Sequence, residues 1–303
     1  MSMITRKIMS VIKDEILENL VKLEQKLHEN GPENFTEQEK KEFWRVVGKI
    51  KRMDTPNKEY IEKAPAIREI LHEDRFGKPV PLRYIMVPLA LSALLLIIGN
   101  LIYMNDNENL LTAGIITYIS YAIVFVVYFH ILNIIFINKI TTYSIISILS
   151  AIELIILHNY FPGFLRGLII ISVFGVVAVL YPHGRWISSK ITNIKLDGAI
   201  RDIYFFITLK TDYKSYLSVS QKNRHWFFII PGIGTLLTAT IIGIYEWFYY
   251  DIYAFLIIAL ILMIAEIYSY IFDVGVWGGE LGHARRERLI LKDIKLQKSK
   301  IGS

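Results

Sequence analysis

The fold of this chain is decided by an uncharged stretch, Tyr84–Met104, which reads YIMVPLALSALLLIIGNLIYM. A helix needs roughly 20 consecutive apolar residues to cross a bilayer core about 30 Å thick, and this stretch is long enough. A helix buried in a soluble domain seldom needs such a run. The stretch therefore predicts a transmembrane helix in a chain of 303 residues that is 53% hydrophobic.

Further apolar segments follow the first one. They are Leu110–Ile137, Thr141–Leu157, Gly167–Tyr181, Trp226–Tyr249 and Ile252–Phe272. Pro162 and Gly163 predict a turn between Thr141–Leu157 and Gly167–Tyr181, because proline and glycine interrupt helices. The predicted fold is an all-α, polytopic transmembrane helical bundle of about six spans, in which residues 84–273 form the transmembrane domain.

Loop charge predicts the orientation of the bundle. Residues 105–109 and the 250–251 turn contain no Lys or Arg, whereas the 183–225 loop and the 274–303 tail are rich in both. Cytoplasmic loops carry an excess of these residues. We therefore expect a multi-pass protein of the cell membrane with both termini in the cytoplasm. Orientation also accounts for the net charge of +6 better than direct nucleic-acid binding does.

Residues 1–83 are charged and predict a soluble helical hairpin on the cytoplasmic side. Ile16, Leu20, Leu23 and Leu27 form one apolar stripe at helical spacing. Thr36 and Glu39 have the spacing of a capping box that starts the next helix. These helices pack on themselves or under the membrane domain in one interpretation, and they bind a cytosolic protein partner in the other.

The 183–225 loop carries a second stripe, formed by Leu196, Ile200, Ile203 and Ile207. This spacing predicts a basic amphipathic helix, which either lies on anionic lipid headgroups or packs on the N-terminal helices. The basic residues that we expect to bind lipid in the loop and tail are Arg185, Lys190, Lys195, Arg201, Arg285, Arg286 and Arg288.

Ionisable side chains within apolar spans are energetically costly and often functional. Four such residues are candidates to line a proton or cation path: Glu153, Glu266, His130 and Glu246. The three glutamates each have a structural alternative. Glu246 has the surroundings of an interfacial aromatic belt, while Glu153 and Glu266 are suited to hydrogen-bond a neighbouring helix as protonated carboxyl groups.

Thr235, Ala239 and Gly243 recur every four residues in the fifth span. Small residues at this spacing allow two helices to approach closely. The alternative is a broken helix that lines a substrate site, as in some transporters.

The sequence offers little support for an enzyme. It contains no cysteine, which excludes disulfides, thiolate metal sites and cysteine nucleophiles. No nucleotide-binding or metalloprotease motif occurs, and we predict no cofactor, metal or catalytic residue.

Three functions remain open at this point. The first expectation is a channel or transporter for ions, protons or small solutes. The second is a membrane anchor or effector that binds anionic lipid and a cytosolic protein. Among the partners considered for the chain is also a second copy of itself, in a homo-oligomer. The third is a lipid-modifying enzyme that uses His183, Arg185 and His283.

Overall fold

The computed structural model describes residues 3–53, 56–76, 78–105, 107–132, 139–201, 207–272 and 280–302. Within these ranges the protein is almost entirely helical, with one small antiparallel sheet. In chain order the elements are α1 (Met3–Asn30), α2 (Glu37–Lys51), α3 (Lys58–Phe76), α4 (Arg83–Asn105), α5 (Leu110–Leu132), α6 (Lys139–Tyr160), α7 (Pro162–Ser172), α8 (Gly175–Thr192), β1 (Leu196–Arg201), β2 (Ile207–Thr211), α9 (Tyr213–Ser218), α10 (Gln221–Tyr250), α11 (Ala254–Phe272) and α12 (Glu280–Gly302).

Among the described residues, six helical segments are long and apolar enough to cross a membrane. They are Arg83–Asn105, Leu110–Tyr128, Ile140–Tyr160, Pro162–Thr192, Gln221–Tyr250 and Ala254–Phe272. This architecture is that of a multi-pass membrane protein. α10 also has an apolar surface that is suited to contact lipid. Its exposed apolar residues include Ile233, Leu237, Ile241, Ile244 and Phe248.

The fourth membrane segment is longer than the predicted Gly167–Tyr181. Polar residues after Tyr181 end the apolar run, yet α8 continues to Thr192. Packing on α10 stabilises this extension. Gly184 lies against Pro231, and the Ser188 hydroxyl donates to the Phe227 carbonyl at 2.8 Å. The predicted loop at 183–225 therefore begins within a helix.

The N-terminal helices share a core with the base of the membrane helices. The stripe formed by Ile16, Leu20, Leu23 and Leu27 is buried, as its spacing predicts. Thr36 and Glu39 form the expected capping box at the start of α2. The same buried cluster contains Phe227 of α10 and Ala284 of α12. This continuous core holds α1–α3 against the membrane domain.

The amphipathic helix predicted for residues 196–207 is wrong. Leu196–Arg201 and Ile207–Thr211 pair as antiparallel strands, and Ile203 lies outside the described residues. Gly198 has a φ of 153°, and a Cβ at this position would lie 2.4 Å from the Val80 carbonyl oxygen. The neighbouring Ala199 exchanges two backbone hydrogen bonds of 2.8 Å with Val80. Close approach of the Val80 backbone, which glycine permits, thus favours the strand.

Candidate functional site

One face of α10 carries small residues and ends in a carboxylate. Gly232, Thr235, Ala239, Gly243 and Glu246 are three or four residues apart, which places them on one side of a helix. α11 and α12 pack against this side. A Cβ on Gly243 would lie 2.7 Å from Leu256 Cα of α11, and one on Gly232 would lie 2.9 Å from the Leu281 side chain of α12. The small residues therefore allow the close packing that their spacing predicts. We call this region the α10 seam.

A pocket of about 200 Å³ lies in the seam and contains Glu266. Its wall is formed by residues of four helices: Tyr181, Gly232, Thr235, Glu266, Glu280 and Leu281. Glu266 is half-buried on α11 and faces this pocket together with Glu280 of α12. The structure thus places the predicted candidate Glu266 in the wall of the same pocket as a second carboxylate, Glu280, which the sequence did not single out.

Glu280 is held by two partners from α8. Arg185 forms an ion pair with one carboxylate oxygen, and the Tyr181 hydroxyl donates to the other. Burial raises the pKa of the Glu280 carboxyl, while Arg185 and the Tyr181 hydrogen bond partly oppose the rise. Arg185 and Tyr181 therefore hold the Glu280 side chain in place in the pocket wall, and burial favours its protonated form.

Glu246 lies at the other end of the seam and is fully buried. Among the described residues, neither of its carboxylate oxygens has a hydrogen-bond partner. The adjacent Trp247, Phe248 and Tyr249 are exposed, so Glu246 does not share the orientation of the aromatic belt. It is 11 residues beyond Thr235, which corresponds to about 16 Å along α10.

Two tyrosines near Glu246 donate their hydroxyls elsewhere. Tyr245 and Tyr250 both donate to Asn100 Oδ1, at 2.6 and 2.9 Å. The Asn100 amide nitrogen in turn donates to the Ile169 carbonyl at 3.2 Å. This buried group joins α4, α7 and α10 and fixes the part of α10 that carries Glu246.

The remaining path candidates do not join the seam. Glu153 is exposed on α6. α6 packs mainly on α5 and α7. The side chain of His130 lies outside the described residues. The seam therefore contains Glu246 and Glu266 of the four predicted candidates.

The predicted lipid-binding residues have different surroundings. Arg185 is largely buried in its ion pair with Glu280. Arg288 lies 4.5 Å over the Tyr270 ring and donates to the Ile271 carbonyl at 3.2 Å. Arg285 is half-buried and Arg286 is exposed, while the Arg201 side chain lies outside the described residues. Lys190 and Lys195 are exposed and line a second pocket.

Of the residues proposed for enzymatic chemistry, Arg185 and His283 both contact the Phe228 ring, whereas His183 has a different partner. His183 Nε2 lies 2.9 Å from the Met86 carbonyl oxygen. The His283 ring stacks on Phe228 with a centroid distance of 5.0 Å. In the part of the chain that the structure describes, no three His, Asp or Glu side chains are grouped so that they could hold a metal ion.

A buried ionic cluster at the base of the membrane helices was not predicted. Glu287 of α12 accepts from the Tyr216 hydroxyl at 2.5 Å and from Lys51 Nζ at 3.3 Å. Burial lowers the pKa of Lys51 and, together with Glu287, raises the pKa of Tyr216 well above its usual value. The partners are more than 70 residues apart along the chain, so no local spacing could have indicated the cluster.

The chain was compared with known protein families, curated proteins and solved structures. Neither a protein-family model nor a curated protein nor a solved structure matches the chain.

Proposed function

We propose that this chain moves protons or small cations across a membrane along the α10 seam. The observation that carries the proposal is the pocket that Glu266, from an apolar span, lines together with Glu280. A charged side chain in the middle of a span opposes insertion by about 2.5–3.5 kcal/mol or more. Such a residue is retained most readily where it lines a polar path.

The position of Glu246 supports the same proposal. It lies on the α10 face that borders the pocket, and it is buried without a hydrogen-bond partner among the described residues. A carboxylate in this state must gain a proton, a cation or water to offset its burial. Glu266 and Glu280 therefore line a pocket at one end of this α10 face, and Glu246 lies farther along the same face.

Two threonines of α10 precede Glu246 along the helix. Thr235 and Thr238 donate their hydroxyls to carbonyls of α10, at 2.8 Å in each case. Their oxygens keep a lone pair for water or for a cation. Since Thr235 and Glu246 are about 16 Å apart, water molecules are required to complete a proton path.

The test is ion flux into liposomes that contain the purified full-length protein. Proton entry is followed with a pH-sensitive dye and cation entry with ion-selective dyes. We expect Glu266→Gln and Glu246→Gln each to reduce flux by about tenfold or more. The matched control is Glu153→Gln, which changes a glutamate in another span outside the seam and leaves flux unchanged.

Two results would overturn the proposal. One is wild-type protein that passes no proton or cation tested. The other is a Glu266→Gln protein whose flux equals that of the wild type.

A second candidate function is a membrane-anchored effector. The observation in its favour is Trp44, which is 51% exposed on α2, within the segment expected to face the cytoplasm. Exposed tryptophan is typical of residues that dominate protein interfaces. Two results together would favour this function. The wild type would bind a cytosolic partner that Trp44→Ala protein does not bind, and the wild type would show no ion flux.

A further inference from the structure

A pocket of about 470 Å³ lies where two membrane helices meet the segments outside the membrane. Leu82 precedes α4, and Asn193 follows α8, so both belong to the ends of membrane segments. The pocket wall includes Leu82, Trp186, Ser189, Lys190, Asn193 and Lys195. A volume of this size is sufficient for a small molecule or a lipid headgroup.

The charged residues of this pocket are cationic. Lys190 and Lys195 are exposed, and no Asp or Glu belongs to the pocket wall within the described ranges. Lys190 Nζ lies 5.8 Å from the centre of the Trp186 ring, which directs its charge to the pocket wall. Asp212, which follows β2, is occupied because its carboxylate caps α9 by accepting from Lys214 N at 3.0 Å.

Two carbonyl groups at the end of α8 are engaged in hydrogen bonds. Carbonyl groups at a helix C-terminus carry partial negative charge and disfavour a bound anion. Here the backbone N–H groups of Asn193 and Ile194 both donate to the Ser189 carbonyl. The Thr192 carbonyl accepts from the Asn223 side chain at 3.4 Å. The charged side chains in the pocket wall, Lys190 and Lys195, are both cationic.

Apolar side chains continue from the pocket along the membrane surface. Val87 of α4 and Ile187 and Ile191 of α8 are strongly exposed. Tyr84 and Trp186 are also exposed at this level, where aromatic residues usually mark the membrane interface. A ligand that fits this surface has an anionic head and hydrocarbon chains.

We infer that the pocket binds the phosphate-bearing headgroup of an anionic phospholipid, with the acyl chains along Val87, Ile187 and Ile191. Lys190 and Lys195 contact the phosphate, and Trp186 borders the glycerol region. This site is separate from the α10 seam and does not depend on ion transport. Exposed ammonium groups predict that salt weakens the binding.

The experiment measures lipid preference with the full-length protein in detergent. The probes are short-chain phosphatidylglycerol, short-chain phosphatidylcholine and inorganic phosphate, each added at the same concentration, and the readout is the affinity obtained from tryptophan fluorescence. We expect phosphatidylglycerol to bind more tightly than either of the other probes. Lys190→Gln combined with Lys195→Gln should weaken its binding by roughly thirtyfold.

Two further variants separate charge from fold. Lys190→Arg with Lys195→Arg keeps the charge and should retain the preference. Lys214→Gln with Lys222→Gln removes two exposed lysines outside the pocket and should change nothing.

Three results would overturn the inference. They are equal binding of the two lipids by the wild type, an unchanged preference in the Lys190→Gln and Lys195→Gln protein, and binding of inorganic phosphate as tight as that of the anionic lipid. The last result would assign the pocket to a soluble anion. Thermal unfolding of each variant verifies that a lost preference is not a loss of fold.

Discussion

Glu287 Oε1 lies 3.3 Å from Lys51 Nζ, which joins α12 to α2 across 236 residues of sequence. Its other oxygen lies 3.9 Å from Arg224 Nε of α10. The Glu287 side chain is 3% exposed, that of Arg224 is 1% exposed, and that of Lys51 is 24% exposed. One buried carboxylate therefore compensates two cations at the point where the N-terminal helices meet the membrane helices.

We predict that this carboxylate contributes more to stability than either cation alone. Glu287→Gln leaves Lys51 and Arg224 close together without a counter-charge, and the expected loss is about 3–5 kcal/mol. Lys51→Met still leaves Glu287 beside Arg224 and the Tyr216 hydroxyl, so the expected loss is only about 1–2 kcal/mol. Thermal unfolding in detergent measures both. A smaller loss for Glu287→Gln than for Lys51→Met would contradict this assignment.

A second prediction concerns the packing of the seam. Alanine at Gly243 would place its Cβ 2.7 Å from the Leu256 backbone, and it should separate α10 from α11 at a cost of about 1–3 kcal/mol. Gly234 lies on the same helix, and a Cβ there would meet no described atom within 4 Å. Gly234→Ala should therefore be neutral or stabilise the helix by up to about 1 kcal/mol. Equal melting temperatures for the two variants would show that the helices are not tightly packed at Gly243.

A third prediction concerns orientation and depends on the charge of the loops. A reporter attached after Ser303, or inserted near the exposed Lys214, should report the cytoplasm. One inserted at Asn107 should report the opposite side. If the Asn107 reporter is cytoplasmic, the six-span orientation is incorrect.

Regular spacing was sufficient to predict the helices but not every secondary structure. The Ile16, Leu20, Leu23 and Leu27 stripe predicts a helix, and these residues are buried in one. Leu196, Ile200 and Ile207 have the same spacing, yet they lie in two strands. The two strands pair with each other, and Ala199 is also bonded to Val80, about 120 positions earlier along the sequence. A local pattern carries no information about such a partner.

The candidate site could be predicted only in part for a similar reason. Glu266 was identifiable because a carboxylate in an apolar span is unusual. Glu280 was not, since it lies beyond the last span in a segment with many charges. Its role emerges from the ion pair with Arg185, 95 residues earlier. Depth along a helix was predictable at about 1.5 Å per residue, but the neighbour of each face depends on tertiary packing.

The final prediction uses the protonation of Glu280. Burial raises its pKa above the ordinary value of 4.5, so the folded protein holds this proton more tightly than the unfolded chain does. As the pH rises from about 4.5 through the folded-state pKa, this group therefore lowers the free energy of unfolding. Glu280→Gln removes the titration and keeps a hydrogen-bonding side chain for Tyr181.

We expect the stability of the wild type, relative to Glu280→Gln, to decrease as the pH is raised through this window. The measurement is the melting temperature of both proteins in detergent from acidic to neutral pH, with the exposed Glu29→Gln as a control that follows the wild type. The opposite result is a wild-type melting temperature that rises relative to that of Glu280→Gln as the pH is raised. It would show that the ion pair with Arg185 outweighs burial. In that case Glu280 would be a conventional ion-pair partner of Arg185. Its carboxyl would stay ionised, and it would not take up a proton in the pocket that it shares with Glu266.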